Sequence, residues 1–135
     1  MSEMIENTTP KRPDMTSATP EELARYMAQL LWKKQGIDIE LYRTADRTII
    51  ADYFLLATGR SSTHVKALAD DIAYEMSLSG IRAARTEGHD GAAWILIDFG
   101  SVIVHVFDRE SREYYRLERL LGEENKLSLT FSEEE

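Results

Sequence analysis

The stretch from Trp94 to Phe107, WILIDFGSVIVHVF, constrains this fold more than any other part of the chain. Gly100-Ser101 fits a two-residue hairpin turn, in which glycine supplies a positive φ. That turn sets Phe99 opposite Val102, Ile97 opposite Val104 and Ile95 opposite Val106, an entirely apolar face that belongs in a core. Alternation along a strand puts Trp94, Leu96, Asp98, Ile103, His105 and Phe107 on the other face. A one-residue slip would regroup the pairs, so the apolar face argues for this register. The second set is neither ordinary core nor ordinary solvated surface. Aromatic anchors with a few polar groups are how protein interfaces are built, so this face reads as a recognition surface.

The rest of the chain supplies the elements around that hairpin. Thr19-Pro20-Glu21-Glu22 opens a helix with a capping box and proline at its first position. Leu23, Tyr26, Met27, Leu30 and Leu31 follow at helical spacing, and Gly36 terminates it. Residues 37–42 alternate Ile37, Ile39 and Leu41 with Asp38, Glu40 and Tyr42, a strand with one covered face. Residues 53–58 are a short apolar run, read as a central strand buried on both faces. Ser61 or Ser62 caps a second helix with the stripe Val65, Leu68, Ala69, Ile72, Ala73 and Met76, ended by Gly80. Residues 81–86 read as a more polar strand, and Glu87-Gly88 sets the loop leading to Trp94. A last helix is capped by Asp108 or Ser111 and ends at Gly122.

The order α-β-β-α-β-β-β-α gives an α/β (α+β) domain: a mixed sheet of about five strands flanked by helices. Strand, helix and strand over residues 53–86 read as a right-handed parallel crossover. The expected organisation is a disordered N-terminal segment over residues 1–18, one domain over 19–122, and an acidic, flexible tail over 123–135.

A length of 135 residues suits one small core. There is no cysteine, which excludes disulfides, thiol catalysis and thiolate metal sites. No apolar run is long enough to cross a bilayer, and the start lacks the apolar block of a secretory signal, so a cytoplasmic protein is expected. The net charge is −8, and after Leu121 five glutamates (Glu123, Glu124, Glu133, Glu134, Glu135) stand against Lys126 alone. Such a chain is poorly suited to coating nucleic acid; its acidity either suits a basic protein partner or only keeps the protein soluble, and charge alone does not choose between these.

Enzyme signals are weak. Gly59-Arg60-Ser61-Ser62, between a strand and a helix N-terminus, has the position of an anion cradle. Nucleotidyltransferases use a Gly-Ser element there, but they also need two acids one residue apart on a following strand to hold magnesium. No Asp-x-Asp occurs in the chain. Nor does it contain a Walker motif, a G-x-G-x-x-G, or histidines at metal-ligand spacing. No catalytic, cofactor or metal residue is assigned.

Four blocks in order carry a resemblance. Asp52-Tyr53-Phe54-Leu55-Leu56-Ala57-Thr58-Gly59 runs into Ser61-Ser62-Thr63-His64-Val65-Lys66-Ala67-Leu68-Ala69-Asp70. Glu87-Gly88 precedes Trp94 to Gly100. Val102 to Phe107 is followed by a helix with Arg112, Tyr115, Leu117 and Glu118. Over residues 20–121 the chain resembles the ribosomal silencing factor (RsfS, Iojap) family. The resemblance implies a nucleotidyltransferase-like fold without the catalytic acids. It implies a translation repressor that binds the large ribosomal subunit through large-subunit ribosomal protein fourteen. Bound there, it blocks joining of the small subunit when nutrients are short. It also implies homodimers off the ribosome, and neither a membrane nor a sequence-specific nucleic-acid partner. The alternative function is a nucleotide-binding or nucleotidyltransferase-like enzyme.

The expected partner-binding residues are Trp94, Asp98, His105, Arg112, Tyr115, Glu118, Arg60 and His64. Trp94 leads, because it is an aromatic anchor on the mixed face. Asp98 and His105 share that face and read equally well as local hydrogen-bonding groups. Arg112 and Tyr115, one helical turn apart, would form one patch. Glu118 would be solvated or would meet a basic partner, and Arg60 and His64, at the helix entrance, would be structural or would border the partner surface.

Overall fold

The computed structural model describes residues 12–133. Helix α1 (Pro20–Lys33) leads to β1 (Ile37–Arg43), β2 (Tyr53–Gly59), α2 (Ser62–Leu78), β3 (Arg85–Glu87), β4 (Trp94–Asp98) and β5 (Val102–Asp108). Two short helices, α3 (Arg109–Tyr115) and α4 (Leu117–Leu121), precede a 3₁₀ turn (Glu123–Asn125) and β6 (Lys126–Leu127). The six strands form one sheet in the order β3-β4-β5-β2-β1-β6. Only β2 and β5 are parallel; the other neighbours are antiparallel.

The expected fold class holds, with one strand more and a different crossover. The parallel partner of β2 is β5, and β3 is a three-residue edge strand antiparallel to β4. Burial decides between them. A strand as buried as β2 needs a partner buried along its length. Residues 102–107 meet that requirement, while Arg85, Thr86 and Glu87 are all exposed. Ile81 and Ala83 pack against the core from outside the ladder.

Helices α1 and α2 cover one face of the sheet. Thr19 caps α1 through the expected box, its hydroxyl accepting from the Glu22 N–H while Glu22 accepts from the Thr19 N–H. Ser61 caps α2. Leu23, Met27 and Leu31 of α1 and Val65, Leu68, Ile72 and Met76 of α2 meet Leu41, Leu55, Ala57, Ile95, Ile97, Val104 and Val106 in the main core.

Strand β1 departs from clean alternation. Ile37 faces Thr58 and Glu40 faces Leu56, so three steps on β1 oppose two on β2, a bulge with Asp38 at φ +50°. The face expected to be polar is covered, since Tyr42 is fully buried and its hydroxyl donates to Glu40 at 2.9 Å. Cover comes from α3 and α4. They replace the single last helix because Arg116 turns left-handed (φ 47°, ψ 54°) and brings Glu118 back to Arg112. Asp108 caps α3.

The described residues on both sides of the domain over 19–122 are tied down further than composition indicates. Residues 1–11 of the segment expected to be disordered lie outside the described residues. Arg12, however, pairs with Glu75, and the Met15 N–H donates to the Ser79 carbonyl at 2.9 Å. The tail expected to be loose runs back along the domain. Leu127 and Lys126 pair with Leu41 and Tyr42 on the edge of β1. Arg25 donates to the Ser128 carbonyl at 2.8 Å, and Leu129 and Phe131 pack against the core. Phe131 stacks on Trp32 with centroids 5.5 Å apart. Charge dominates the tail's composition, but three apolar residues, Leu127, Leu129 and Phe131, at two-residue spacing dock it as an extended strap. Phe131→Ala is expected to destabilise the fold by about 1–2 kcal/mol, the lower end for a half-buried aromatic; thermal unfolding checks this, and an unchanged midpoint would show that the strap adds nothing. Among the described residues no helix is long and apolar enough to cross a membrane.

Candidate functional site

The sheet face opposite α1 and α2 carries the candidate site. The hairpin adopts the expected register, with Ile97 opposite Val104 and Ile95 opposite Val106, and the Phe99 N–H donating to the Val102 carbonyl at 2.9 Å. Gly100 takes φ +91° at the turn. Trp94, Leu96 and Asp98 of β4 therefore share a face with Ile103, His105 and Phe107 of β5, and with Phe54, Leu56 and Thr58 of β2. Helices α3 and α4 close one end of it. Tyr42, Leu56, Phe107 and Leu121 form a second, smaller core, with Phe54, Trp94 and Leu117 packed at its border.

Trp94 stands at the edge of that cover, half-buried. Its indole N–H donates to His105 Nδ1 at 3.0 Å. Its ring lies 4.9 Å from Phe107 and 4.8 Å from Tyr115. Tyr115 is about half exposed, and Tyr114, more exposed still, meets it edge-on at 5.0 Å. The three rings form a ridge between α3 and the open sheet. Gly88 sets its base, as the loop reading expected. A Cβ there would lie 2.2 Å from the Trp94 carbonyl oxygen, and φ is +82°, so only glycine lets the loop pass.

The other expected contacts fall into different places. Asp98 borders the open face, where it accepts from the Gly100 N–H at 2.8 Å and lies 3.6 Å from Arg85. His105, expected as a contact, lies beneath the surface at 3% exposure. Arg112 is also buried and therefore forms no exposed patch with Tyr115, because its side chain turns inward. Its guanidinium donates to Thr58 Oγ1 at 2.8 Å and pairs with Glu40 at 3.2 Å and Glu118 at 3.1 Å. Glu118 is thus part of a brace holding α3 and α4 to the sheet. Arg60 and His64 belong to the helix-covered side. His64 Nδ1 accepts from the Arg60 N–H at 2.9 Å, its Nε2 bonds the Lys34 carbonyl at 3.1 Å, and Arg60 donates to Gln35. These bonds tie the start of α2 to the end of α1. The Arg60 N–H is engaged by His64 Nδ1 and the His64 N–H by Ser61 Oγ at 3.1 Å, the N–H groups that a phosphate cradle would have offered. Among the described residues no three His, Asp or Glu side chains converge as metal ligands.

Burial keeps His105 neutral, with its pKa pushed down to about 3 from 6.5. The unfolded chain therefore binds a proton that the native chain refuses between those values. This contribution to stability is complete above about pH 6.5 and is lost on acidification, by about 2 kcal/mol between pH 6.5 and about pH 5. Urea unfolding across that range checks it: His105→Asn is expected to flatten the slope relative to wild type, and equal slopes would contradict the assignment.

A family model described as ribosomal silencing factor during starvation matches residues 17–135. The chain belongs to the ribosomal silencing factor (RsfS) family. The match extends the resemblance beyond residue 121, so the docked strap lies within the RsfS match. The Bacillus subtilis ribosomal silencing factor RsfS is 42% identical over 98 residues, 73% of this chain and 83% of that protein. The Zymomonas mobilis factor is 36% identical over 111 residues, 82% of this chain and 84% of that protein. A crystal structure of a Chromobacterium violaceum protein superimposes with a TM-score of 0.75 at 33% identity, covering 77% of this chain and 87% of that one. The name shared by the RsfS relatives describes a regulator of ribosomes and no enzymatic reaction.

Proposed function

We propose that this RsfS-family protein represses translation by docking on the large ribosomal subunit, through large-subunit ribosomal protein fourteen, and blocking the small subunit from joining. The observation that carries the reading is the ridge of Trp94, Tyr115 and Tyr114 beside Leu96 and Asp98. It is an aromatic surface left half open by α3, on a sheet face where Tyr42, Leu56 and Phe107 are already packed core. Central aromatic anchors with a polar border are what a specific protein interface needs. The net charge of −8 favours a basic partner surface of the kind ribosomal proteins present. Occlusion needs no reaction, which agrees with the missing paired acids and with the engaged N–H groups at the start of α2. The protein acts in the cytoplasm with the ribosome, and off the ribosome the same ridge serves a homodimer.

Pelleting purified protein with separated ribosomal subunits tests this. The reading expects the protein to pellet with large subunits and remain in the supernatant with small ones. Absence from both pellets would refute it, and heat on mixing with nucleotide and magnesium would instead support the enzyme alternative.

A further inference from the structure

We propose that His105 is a positioning residue for docking: its Nδ1 holds the Trp94 indole in one orientation, so that the ridge meets its partner already formed. The proposal rests on reading this face as the docking surface.

Its neighbours explain why a histidine here is unusual. Ile103 and Phe107, two residues to either side on the same face of β5, are fully apolar core positions. An aliphatic side chain would fill the site equally well. Histidine fills it at a disadvantage, because its Nε2 is buried with no hydrogen-bond partner. An unpartnered buried donor costs free energy, and residues that break a local rule without a local gain concentrate at functional sites.

The gain at His105 lies on its other nitrogen. An indole N–H can only donate, so Nδ1 must be the acceptor and Nε2 carries the proton. The bond at 3.0 Å runs diagonally across the hairpin, since Leu96 faces His105 and Phe107 faces Trp94. The imidazole is itself held. Phe54 lies 4.7 Å away and Phe107 6.2 Å away, so the acceptor cannot swing with the indole. Trp94 is thus fixed from two sides, by His105 through its nitrogen and by Tyr115 and Phe107 through its ring. A half-buried tryptophan without that bond would exchange rotamers and lose conformational freedom on docking, which weakens binding.

The test compares His105→Leu with His105→Asn in the full chain. The amide oxygen of asparagine can take the place of Nδ1 as acceptor, whereas leucine removes the acceptor and keeps the bulk. The indole N–H resonance of Trp94, assigned by its disappearance in Trp94→Phe, is followed in the free protein. Affinity is followed by co-sedimentation with large subunits. His105→Leu is expected to move that resonance, to lose exchange protection and to bind about tenfold more weakly, while His105→Asn stays within about threefold of wild type. A mere packing role for His105 would give no rescue by asparagine. An unmoved resonance in His105→Leu overturns the proposal. So does wild-type affinity in His105→Leu when Trp94→Ala has lost binding, and the docking reading then stands alone. An asparagine variant that keeps the indole bond yet binds as weakly as the leucine variant also overturns it. Wild-type binding by Trp94→Ala would remove the docking reading and this proposal together.

Discussion

Trp94→Ala is expected to weaken binding to the large subunit by about 2–4 kcal/mol, roughly 30- to 1,000-fold, the range of a central aromatic anchor. Trp94 touches both the open face and the second core, through Tyr115 on one side and Phe107 on the other. Truncation removes the largest ring of the ridge, leaves Tyr115 without its inner support and frees the His105 acceptor. The fold survives, because Trp94 packs only at the border of the smaller core while Ile95 and Ile97 stay in the main one. An unchanged far-ultraviolet spectrum with lost co-sedimentation is the expected pair of results. Trp94→Phe keeps a ring and loses the N–H, so it falls between the two. A folded Trp94→Ala protein that binds like wild type would show that the ridge is not the docking surface.

Arg112→Leu is expected to cost about 3 kcal/mol of stability, near the lower end for breaking a buried charged network. One guanidinium joins three elements: Glu40 on β1, Thr58 on β2 and Glu118 on α4. It also stands 5.9 Å from the centre of the Phe107 ring. Leucine leaves the buried Thr58 hydroxyl without this partner. Glu40 and Glu118 are each partly exposed, and Glu40 keeps Tyr42 and Lys126, so water and these partners limit the loss. Urea unfolding reads the change, and a loss below about 0.5 kcal/mol, the scatter of ordinary surface substitutions, would show that the network is not what holds α3 and α4. Docking should weaken less than in Trp94→Ala, because Tyr115 loosens with α3 while Trp94 keeps its bond to His105.

Much of the fold was legible in the sequence where pattern and chemistry pointed one way. The hairpin register followed from an apolar face that tolerates no slip. The cap at Thr19 followed from Pro20 and Glu22, which agree with it. The crossover is not legible locally because strand order is decided by which segments can be buried on both sides, and residues 81–86 are not apolar enough. The last helix looks continuous in sequence because nothing at Arg116 marks a left-handed turn. The turn brings Glu118 back to Arg112, six residues earlier, a pairing that helical spacing alone does not suggest. The strap is hidden by the tail's glutamates, since three apolar residues dock it while Glu123, Glu124 and Glu133 stay exposed. At the candidate site, the sequence grouped the residues of one sheet face and misjudged how deeply they lie. His105 and Arg112 are polar residue types, so their burial depends on partners in other elements that no local pattern reveals. Trp94, Asp98 and Tyr115 remained at the opening, whereas Arg60 and His64 joined the opposite side.

Occlusion is read out by a subunit-joining reaction followed by light scattering. Large subunits are incubated with the protein, or with Trp94→Ala, before small subunits are added. Wild-type protein is expected to lower the joined fraction in proportion to large subunits occupied, and Trp94→Ala to leave joining intact. Full joining on large subunits saturated with wild-type protein would contradict occlusion.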